Sequence, residues 1–226
     1  MHDFSIIIPQ HGECQRTFNA IQSLQRTQVG DFEVLIVDDG SDFVTWQQLR
    51  AQLQAETRPA QAGNLMLLRI PRRQGITVAW NRGASLARGR ILIFLNNDTI
   101  SQGPWLQDLT APLELDGLNL TAPRAREKQE RGIAGSELLE GWCLALRQET
   151  FFAQGGFDER FRLYYSDTDL QFRLLQQSAS ALRACPGLPL IHLGHCSTRK
   201  LPSRSAEWRR DRERFLQKWN PIGMPQ

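Results

Sequence analysis

Cysteine is scarce in this chain of 226 residues, and its spacing excludes the common cysteine motifs. The four cysteines include no C-x-x-C pair, and no set of cysteine and histidine residues has zinc-finger spacing. We therefore expect reduced thiols in a cytosolic protein, and neither a disulfide framework nor a structural zinc site. The four residues are Cys14, Cys143, Cys185 and Cys196.

Long hydrophobic runs are also missing. No apolar stretch approaches the roughly 18 residues that a helix needs to cross a bilayer. The N-terminal sequence MHDFSIIIPQ has no basic segment followed by a long apolar one, so we expect no signal peptide. These absences favour a cytoplasmic location, with peripheral contact at the inner face of the membrane as the alternative.

The excess of charge of one sign is small. A formal net charge of +3 is too low to predict nucleic-acid binding, although it suits an anionic small ligand or an acidic membrane surface. A hydrophobic content of 41% and a charged content of 23% are typical of a soluble globular protein. The length predicts one domain that covers residues 1–226.

The first half of the sequence alternates short apolar runs with amphipathic segments. The apolar runs indicate buried strands, and the segments between them have helical spacing. This β-α-β-α-β-α-β order predicts an α/β protein with a Rossmann-like, mostly parallel sheet flanked by helices on both faces. The predicted strands are residues 4–9, 32–41, 64–70 and 90–95; the predicted helices are residues 14–28, 43–54 and 75–89, the last closed by a C-terminal glycine.

Two of these strands end in polar side chains that cannot remain buried without partners. Asp38 and Asp39 follow the second strand, and the Asn-Asn-Asp sequence at residues 96–98 follows the fourth. Because the carboxyl ends of parallel strands meet at one rim, where such sheets bind ligands, we expect a site there. The alternative is that each group only makes a turn, in the first case an Asx-turn with Gly40 at positive φ.

The second half of the sequence is less regular. Residues 122–137 are charged and aperiodic, which favours a loop. A helix is predicted over Ser166–Gln177, with Ser166 as its N-cap. Another, basic and amphipathic, is predicted over Arg204–Trp219. The apolar contacts of this last helix would be Trp208, Phe215 and Trp219.

Four motifs together resemble a known family. SIIIPQHGE, VLIVDDGS, GITVAWNRGASLARGRILIFLNNDT and GGFDERFRLYYSDTDLQFRL stand in the order found in inverting glycosyltransferases of family 2, which have the GT-A fold. The resemblance covers residues 4–201 and is strongest to rhamnosyltransferase-like bacterial members that build surface polysaccharides. It implies a nucleotide-binding half in residues 1–100, an acceptor-binding half in residues 101–200 and a C-terminal basic helix in residues 201–226.

The resemblance also implies a chemistry. A nucleoside-diphosphate sugar would donate its sugar by direct displacement to a glycan or a lipid-linked acceptor, with Mn²⁺ or Mg²⁺ on the diphosphate. The resemblance, with position on the rim, assigns donor binding to Pro9, Gln10, Glu13, Asp39, Arg73 and Asn97; metal binding to Asp98 and His192; acceptor binding to Trp142 and Asp169; and the role of catalytic base to Asp167.

Three residues depart from the family pattern. Asn96 replaces the first aspartate of the Asp-x-Asp motif, Ser166 replaces a glutamate before Asp167, and His11 replaces an aromatic residue. Asn96 keeps an acceptor oxygen without the charge, so metal affinity would depend on the bound diphosphate.

Several assigned residues also have plain structural alternatives. Asp167 would be a first-turn carboxylate favoured by the helix dipole, and Asp169 would pair with Arg173 one turn later. Trp142 would pack in the core, and His192 would be an ordinary structural histidine.

Two other functions compete with the transferase. A sugar nucleotidyltransferase would need a glycine-rich phosphate loop, which IIIPQHGECQ is not. A non-catalytic glycan- or nucleotide-binding module would account for the three departures. The basic C-terminal helix has two interpretations of its own, a contact with anionic lipid or a solvated helix packed on the body through its tryptophans.

Overall fold

A seven-stranded sheet forms the centre of the computed structural model, which describes residues 2–56, 64–115, 117–126, 137–194 and 204–219. Its strand order is β3-β2-β1-β4-β7-β6-β8, and β5 pairs with β9 in a separate antiparallel ribbon. The strands are β1 (Phe4–Gln10), β2 (Phe32–Asp39), β3 (Leu65–Ile70), β4 (Ile91–Leu95), β5 (Thr99–Ser101), β6 (Leu120–Ala122), β7 (Cys143–Arg147), β8 (Leu182–Ala184) and β9 (Leu190–His192).

The sheet is mostly parallel, as predicted. The strands β3, β2, β1 and β4 run parallel, and β6 runs parallel to β8. The strand β7 is antiparallel to both of its neighbours. The predicted strand bounds in the first half agree with the structure to within two residues, because each run of β-branched and aliphatic residues ends at a glycine, proline or polar cluster.

Helices cover both faces of the sheet. On one face α1, α2 and α4 pack against alternate strand residues such as Ile6, Val34 and Ile93. On the other face α3, α5 and α6 pack against the intervening residues, such as Ile7 and Leu35. The helices are α1 (Gln15–Thr27), α2 (Phe43–Glu56), α3 (Ile76–Leu86), α4 (Leu106–Thr110), α5 (Gln148–Ala153), α6 (Ser166–Gln177) and α7 (Arg204–Trp219).

Two glycines of the α3 region allow close packing. A side chain at Gly83 would collide with Ile7 of β1, which explains why the helix can lie directly on the sheet. The helix α3 ends at Leu86, with Ala87 as its C-cap. The expectation that Gly89 closes it is therefore wrong, and Gly89 instead lies against the β1 backbone at Phe4 and Ser5.

The helix α6 begins and ends where the sequence predicts, but its N-cap differs. Tyr165, not Ser166, is the N-cap, and Ser166 is the first helical residue. Tyr165 has φ 66° and is the one residue other than glycine at positive φ in the described part of the chain. An aromatic residue in this conformation is strained by about 1–3 kcal/mol, so the surrounding packing must hold it there.

The helix α7 packs on α6 through one side. Phe215 and Trp219 are buried in a cluster with Phe161 and Phe172. The predicted contact of Trp208 is wrong, because this side chain is 43% exposed on the outer side of the helix. None of the helices in the described residues is long and apolar enough to cross a bilayer.

Some sequence-based expectations fall outside the described residues. Residues 127–136 of the expected loop are among these, as is Cys196. The described ends of that loop segment do pair, because Ala125 and Leu139 form an antiparallel bridge.

Candidate active site

The loop after β1 and the turn after β2 are hydrogen-bonded to each other. His11 Nδ1 lies 2.8 Å from the carbonyl oxygen of Asp39, and the Gly12 N–H donates to the Ser41 hydroxyl at 2.9 Å. Asp38 makes the expected Asx-turn, because it accepts hydrogen bonds from the hydroxyl and the N–H of Ser41 while Gly40 takes φ 69°. Burial raises the pKa of Asp38 despite these donors.

The carboxylate of Asp39 fixes the loop before α3. Its two oxygens accept the backbone N–H groups of Gln74 at 2.6 Å and Gly75 at 2.8 Å. The side chain is buried at the end of β2, on the rim where the sequence places it. Its contact with a donor nucleotide stays a prediction, because the bonds seen here organise protein backbone.

A buried polar network joins the ends of β1 and β4. Gln10 Oε1 accepts from the Thr17 hydroxyl at 2.5 Å and from Asn97 Nδ2 at 3.2 Å. Asn97 Nδ2 also donates to the Thr17 hydroxyl at 3.0 Å. Pro9, next to Gln10, is buried within β1. Pro9, Gln10 and Asn97, which are predicted to bind the donor, therefore form the framework beneath the rim together with Thr17, and their donor contacts stay predictions.

The side chains of Glu13 and Arg73 have their described partners outside that framework. The Glu13 side chain is 51% exposed and lies 3.7 Å from the Arg16 guanidinium. The Arg73 guanidinium donates to both carboxylate oxygens of Glu207 on α7, at 3.1 and 3.4 Å. The backbone of Arg73 does lie on the rim, directly against Gly40. Donor contacts by both side chains stay predictions.

Asp98 and His192 come together although they are far apart in sequence. The β5–β9 ribbon pairs Thr99 with His192, and this register brings His192 Nε2 to 3.1 Å from Asp98 Oδ1. The imidazole is stacked on Trp142, with ring centroids 4.9 Å apart and planes 13° apart. The Trp142 indole N–H donates to Glu140 at 2.5 Å. Trp142 is buried and packs against His192, so its contact with an acceptor stays a prediction.

The chemistry of this cluster fits a divalent cation. Asn96 Nδ2 lies 3.4 Å from His192 Nε2, while Asn96 Oδ1 is buried with no hydrogen-bond partner among the described residues. Such an orphaned oxygen is costly unless something binds it. A carboxylate, an imidazole and an amide oxygen together suit Mn²⁺. No three histidine, cysteine or acidic side chains converge within the described ranges, so the site provides only two such groups.

Asp167, in the first turn of α6, lies against Gly141, the residue that precedes the Trp142 stacked on His192. A side chain at Gly141 would collide with the Asp167 carboxylate, so the glycine is what lets the carboxylate lie against the chain next to Trp142. Asp167 Oδ2 is paired with the Arg126 guanidinium, and the Asp167 side chain remains 16% exposed. Preceding it, Tyr165 is held at positive φ by stacking on Phe215 with centroids 5.0 Å apart.

Asp169 does not reach the rim. Its carboxylate is fully buried and bonded to Arg173 Nε at 2.9 Å and to Trp219 Nε1 at 2.9 Å. Lys218 Nζ lies 2.6 Å from its other side. The expectation that Asp169 binds an acceptor is therefore corrected to a packing role, and its pairing with Arg173 is the alternative that the helical spacing offered.

Three residues near the site were not found from the sequence. Arg126 falls in the segment expected to be a loop. Glu207 and Asp211 lie on the inner side of α7, where Asp211 accepts the backbone N–H groups of Arg162, Leu163 and Tyr164 at 3.0–3.2 Å. A signal existed for these two acids, because they share the spacing of four with the buried Phe215 and Trp219.

The fold is that of an α/β protein whose polar residues gather at the carboxyl ends of its strands, the edge where such sheets bind ligands. The sequence model of glycosyl transferase family 2 matches residues 5–170. The chain belongs to this family, and the family predicted from the motifs is confirmed.

Curated relatives are similar over part of their length. The chain is 33% identical over 98 residues to an uncharacterized glycosyltransferase YfnE of Bacillus subtilis, covering 43% of this chain and 23% of the relative. It is 28% identical over 209 residues to the O-antigen biosynthesis protein RfbC of Myxococcus xanthus, covering 76% and 16%. The chain therefore spans less than a quarter of the length of either protein.

Solved structures confirm the GT-A fold. The mannosyltransferase PcManGT of Pyrobaculum calidifontis, in complex with GDP-Man and Mn²⁺, superimposes with a TM-score of 0.71 at 15% identity, covering 98% of this chain and 68% of that one. GalNAc-T7 with UDP, GalNAc and Mn²⁺ superimposes with a TM-score of 0.66 at 16% identity, covering 82% and 44%. The predicted fold class is thus correct.

Proposed function

We propose that this chain transfers a sugar from a nucleoside-diphosphate sugar to an acceptor hydroxyl, with inversion at the anomeric carbon. The observation that carries the proposal is the convergence of Asp98, His192 and the orphaned oxygen of Asn96. Asp167 lies against Gly141, the neighbour of the Trp142 that stacks on His192. We assign donor binding to residues 1–100 and acceptor binding to residues 101–200. The two similar structures hold Mn²⁺ with UDP and GalNAc or with GDP-Man, which supports this class of donor.

Each residue has a separate task in the proposed reaction. Asp98, His192 and Asn96 Oδ1 would hold Mn²⁺ or Mg²⁺. A cation bound there would neutralise the charge that develops on the departing diphosphate. Asp167 takes the proton of the acceptor hydroxyl while the oxygen of that hydroxyl bonds to the anomeric carbon. The bond from that carbon to the diphosphate oxygen breaks at the same time.

The acceptor that we propose is a growing glycan or a lipid-linked sugar at the inner face of a membrane, in surface polysaccharide synthesis. The name of the Myxococcus relative supports this process. The outer side of α7 supports the location, because it exposes Trp208 beside Arg209, Arg210 and Arg212. The Arg212 guanidinium lies 5.8 Å from the Trp208 ring centre. A tryptophan among arginines suits the interface of an anionic bilayer.

Binding to vesicles tests this location. We expect the chain to cosediment with vesicles that contain phosphatidylglycerol and not with phosphatidylcholine vesicles. A variant with Arg209, Arg210 and Arg212 changed to glutamine should remain in solution, and Arg50→Gln on the exposed part of α2 is the control. Equal sedimentation of the wild type with both vesicles would contradict the location and leave the chemistry unaffected.

A direct experiment tests the transferase. Hydrolysis of a panel of nucleotide sugars should require Mn²⁺ or Mg²⁺ and should select one donor. Asp98→Ala and Asp167→Asn should both lose this activity. Hydrolysis that survives unchanged in both variants would contradict the site.

The second candidate is a binding module without catalysis. It is favoured by Asn96 in place of an acid and by the presence of only two metal-ligating histidine or acidic groups in the described cluster. Metal-dependent nucleotide binding with no hydrolysis of any donor and no transfer would support this candidate instead.

A further inference from the structure

The guanidinium of Arg126 is fixed on three sides at the start of α6. Nε donates to the carbonyl oxygen of Leu139 at 3.0 Å, and Nη2 donates to the Thr168 hydroxyl at 2.8 Å. Nη2 also pairs with Asp167 Oδ2. The Arg126 and Asp167 side chains are only 18% and 16% exposed. A hydrogen bond between two charged groups in such a setting is stronger and more directional than a neutral one.

Backbone hydrogen bonds hold residue 126 in this position independently of its guanidinium. The Arg126 N–H donates to Leu138 at 2.7 Å, and the Glu140 N–H donates to Arg124 at 3.0 Å. These bonds flank the bridge between residues 125 and 139. This short two-stranded segment, called the 124–140 ladder below, leads directly into Gly141.

The 124–140 ladder has its own attachment to α6. The buried amide of Gln171 accepts the Leu139 N–H at 2.6 Å and donates to the Leu139 carbonyl at 3.1 Å. Gln171 lies one turn after Asp167, on the same side of the helix. These bonds hold the ladder on α6 without the ion pair. The contact of Arg126 with Asp167 is therefore not needed to attach the ladder.

The two oxygens of the Asp167 carboxylate differ in their described contacts. The guanidinium binds Oδ2, and Gly141 also closes on Oδ2. None of the described residues donates a hydrogen bond to Oδ1. A carboxylate clamped in this way presents one defined oxygen, and the position of a general base determines its efficiency.

We propose that Arg126 is a positioning residue that clamps Oδ2 of Asp167, so that Oδ1 faces the acceptor hydroxyl. The inference rests on the proposed function, because it assumes that Asp167 is the base. Arg126 acts through Asp167 and touches neither the donor nor the reacting carbon. It determines the rate of proton removal and leaves donor binding unchanged.

The test compares Arg126→Ala and Arg126→Lys with a matched control. Arg124→Ala removes an exposed arginine two residues away in the same ladder. Calorimetry with UDP and GDP in the presence of Mn²⁺ measures donor-site binding, and turnover of the preferred nucleotide sugar measures kcat. For Arg126→Ala we expect nucleotide affinity within twofold of wild type and a fall in kcat of roughly 10- to 100-fold. Arg126→Lys should fall between, and Arg124→Ala should match wild type.

Chemical rescue separates positioning from folding. Added guanidinium ion, at concentrations well below denaturing ones, should restore kcat of Arg126→Ala at least threefold. It should not restore Asp167→Asn, in which the carboxylate itself is missing. A folding defect would not respond in this way.

Two results would overturn the inference. One is Arg126→Ala with wild-type kcat. The other is a parallel loss of nucleotide affinity and kcat in both Arg126 variants without rescue. Failure of the proposed function would look different, because the wild-type chain itself would then bind neither nucleotide with Mn²⁺ and turn over no donor.

Discussion

The rim above β1 and β2 and the region where α6 meets α7 hold their carboxylates in different ways. On the rim, Asp38 and Asp39 are bonded to backbone N–H groups and a serine hydroxyl, with the nearest guanidinium, of Arg69, 3.9 Å from Asp38. Near α6, Asp167 and Asp169 are bonded to arginine, lysine or tryptophan side chains. The rim is thus organised by turns, and the second region by ion pairs between distant segments.

The two aspartates of the second region also differ from each other in their burial and in the number of their partners. Asp167 is partly exposed and pairs with a single arginine among the described residues. Asp169 is fully enclosed by three partners and fastens α7 to α6. Two residues that are only two positions apart in sequence therefore have different proposed roles, Asp167 as the base and Asp169 in packing.

The largest effect is expected at Asp167. Asp167→Asn removes the proposed base, so kcat should fall roughly 10²- to 10⁴-fold. Nucleotide affinity in the presence of Mn²⁺ should stay near wild type, because the carboxylate does not contact the framework of the donor site. Steady-state kinetics and calorimetry on the same preparation check both. A loss of nucleotide binding equal to the loss of turnover would contradict the division between the two regions.

The next effect concerns stability at Asp169. Asp169→Asn leaves Arg173 and Lys218 without their buried carboxylate, which should destabilise the fold by roughly 3–5 kcal/mol. Urea unfolding followed by tryptophan fluorescence measures this. Glu149→Gln is the matched control, because its carboxylate also lies near an arginine, at 3.6 Å, but is 82% exposed. The control should change stability by less than about 1 kcal/mol, and equal effects of the two variants would refute the packing role.

A smaller effect is expected at Asn96. Asn96→Asp adds a charge to the cluster of Asp98 and His192, so Mn²⁺ affinity without nucleotide should rise about tenfold, since charge count tunes metal sites. The gain should shrink when a nucleoside diphosphate is present, because the diphosphate supplies charge of its own. Calorimetric titration of Mn²⁺ into both proteins checks this. An unchanged affinity would show that Asn96 Oδ1 does not face the cation.

The smallest effect is a difference in pH dependence between the two regions. Burial raises the pKa of Asp38, so its contribution to stability is present below the unfolded value near 3.9 and is lost as pH rises through the folded pKa. Burial also acts to raise the pKa of Asp158, but hydrogen bonds from Arg160 and Lys218 outweigh it and hold the pKa well below its ordinary range. The contribution of Asp158 is therefore present above about pH 3.9 and is lost as pH falls toward the folded pKa.

Urea unfolding of the wild type, Asp38→Asn and Asp158→Asn should be measured from about pH 3 to pH 6. This range extends from roughly one unit below to two units above the aspartate pKa in the unfolded chain, and it shows the sign of each contribution to stability. The stability of wild type relative to Asp38→Asn should decrease with rising pH. Its stability relative to Asp158→Asn should increase. Slopes of the same sign for both would contradict the contrast between turn-held and ion-paired carboxylates.

Much of the rim could be predicted because its signals are local. The alternation of strands and helices predicts the sheet, and the polar ends of β2 and β4 indicate the rim. His192 was found only with the help of the family resemblance, and the ribbon of β5 and β9 then brought it to Asp98.

The ion pairs of the second region could not be predicted, because each joins residues far apart in the chain. Arg126 is 41 residues from Asp167, and Arg73 is 134 residues from Glu207. Spacing within a single helix does not identify such partners. Asp169 shows the same limit, because its pairing with Arg173 follows from helical spacing whereas its contacts with Lys218 and Trp219 do not.

The most direct test of the central claim is electron paramagnetic resonance of Mn²⁺ titrated with the protein in the presence of UDP or GDP. The signal of free Mn²⁺ should fall with wild-type protein and nucleotide together. It should fall far less with Asp98→Ala or His192→Ala, while Asp169→Asn that remains folded should behave as wild type. Mn²⁺ binding that is the same in wild type and Asp98→Ala would contradict the proposed site.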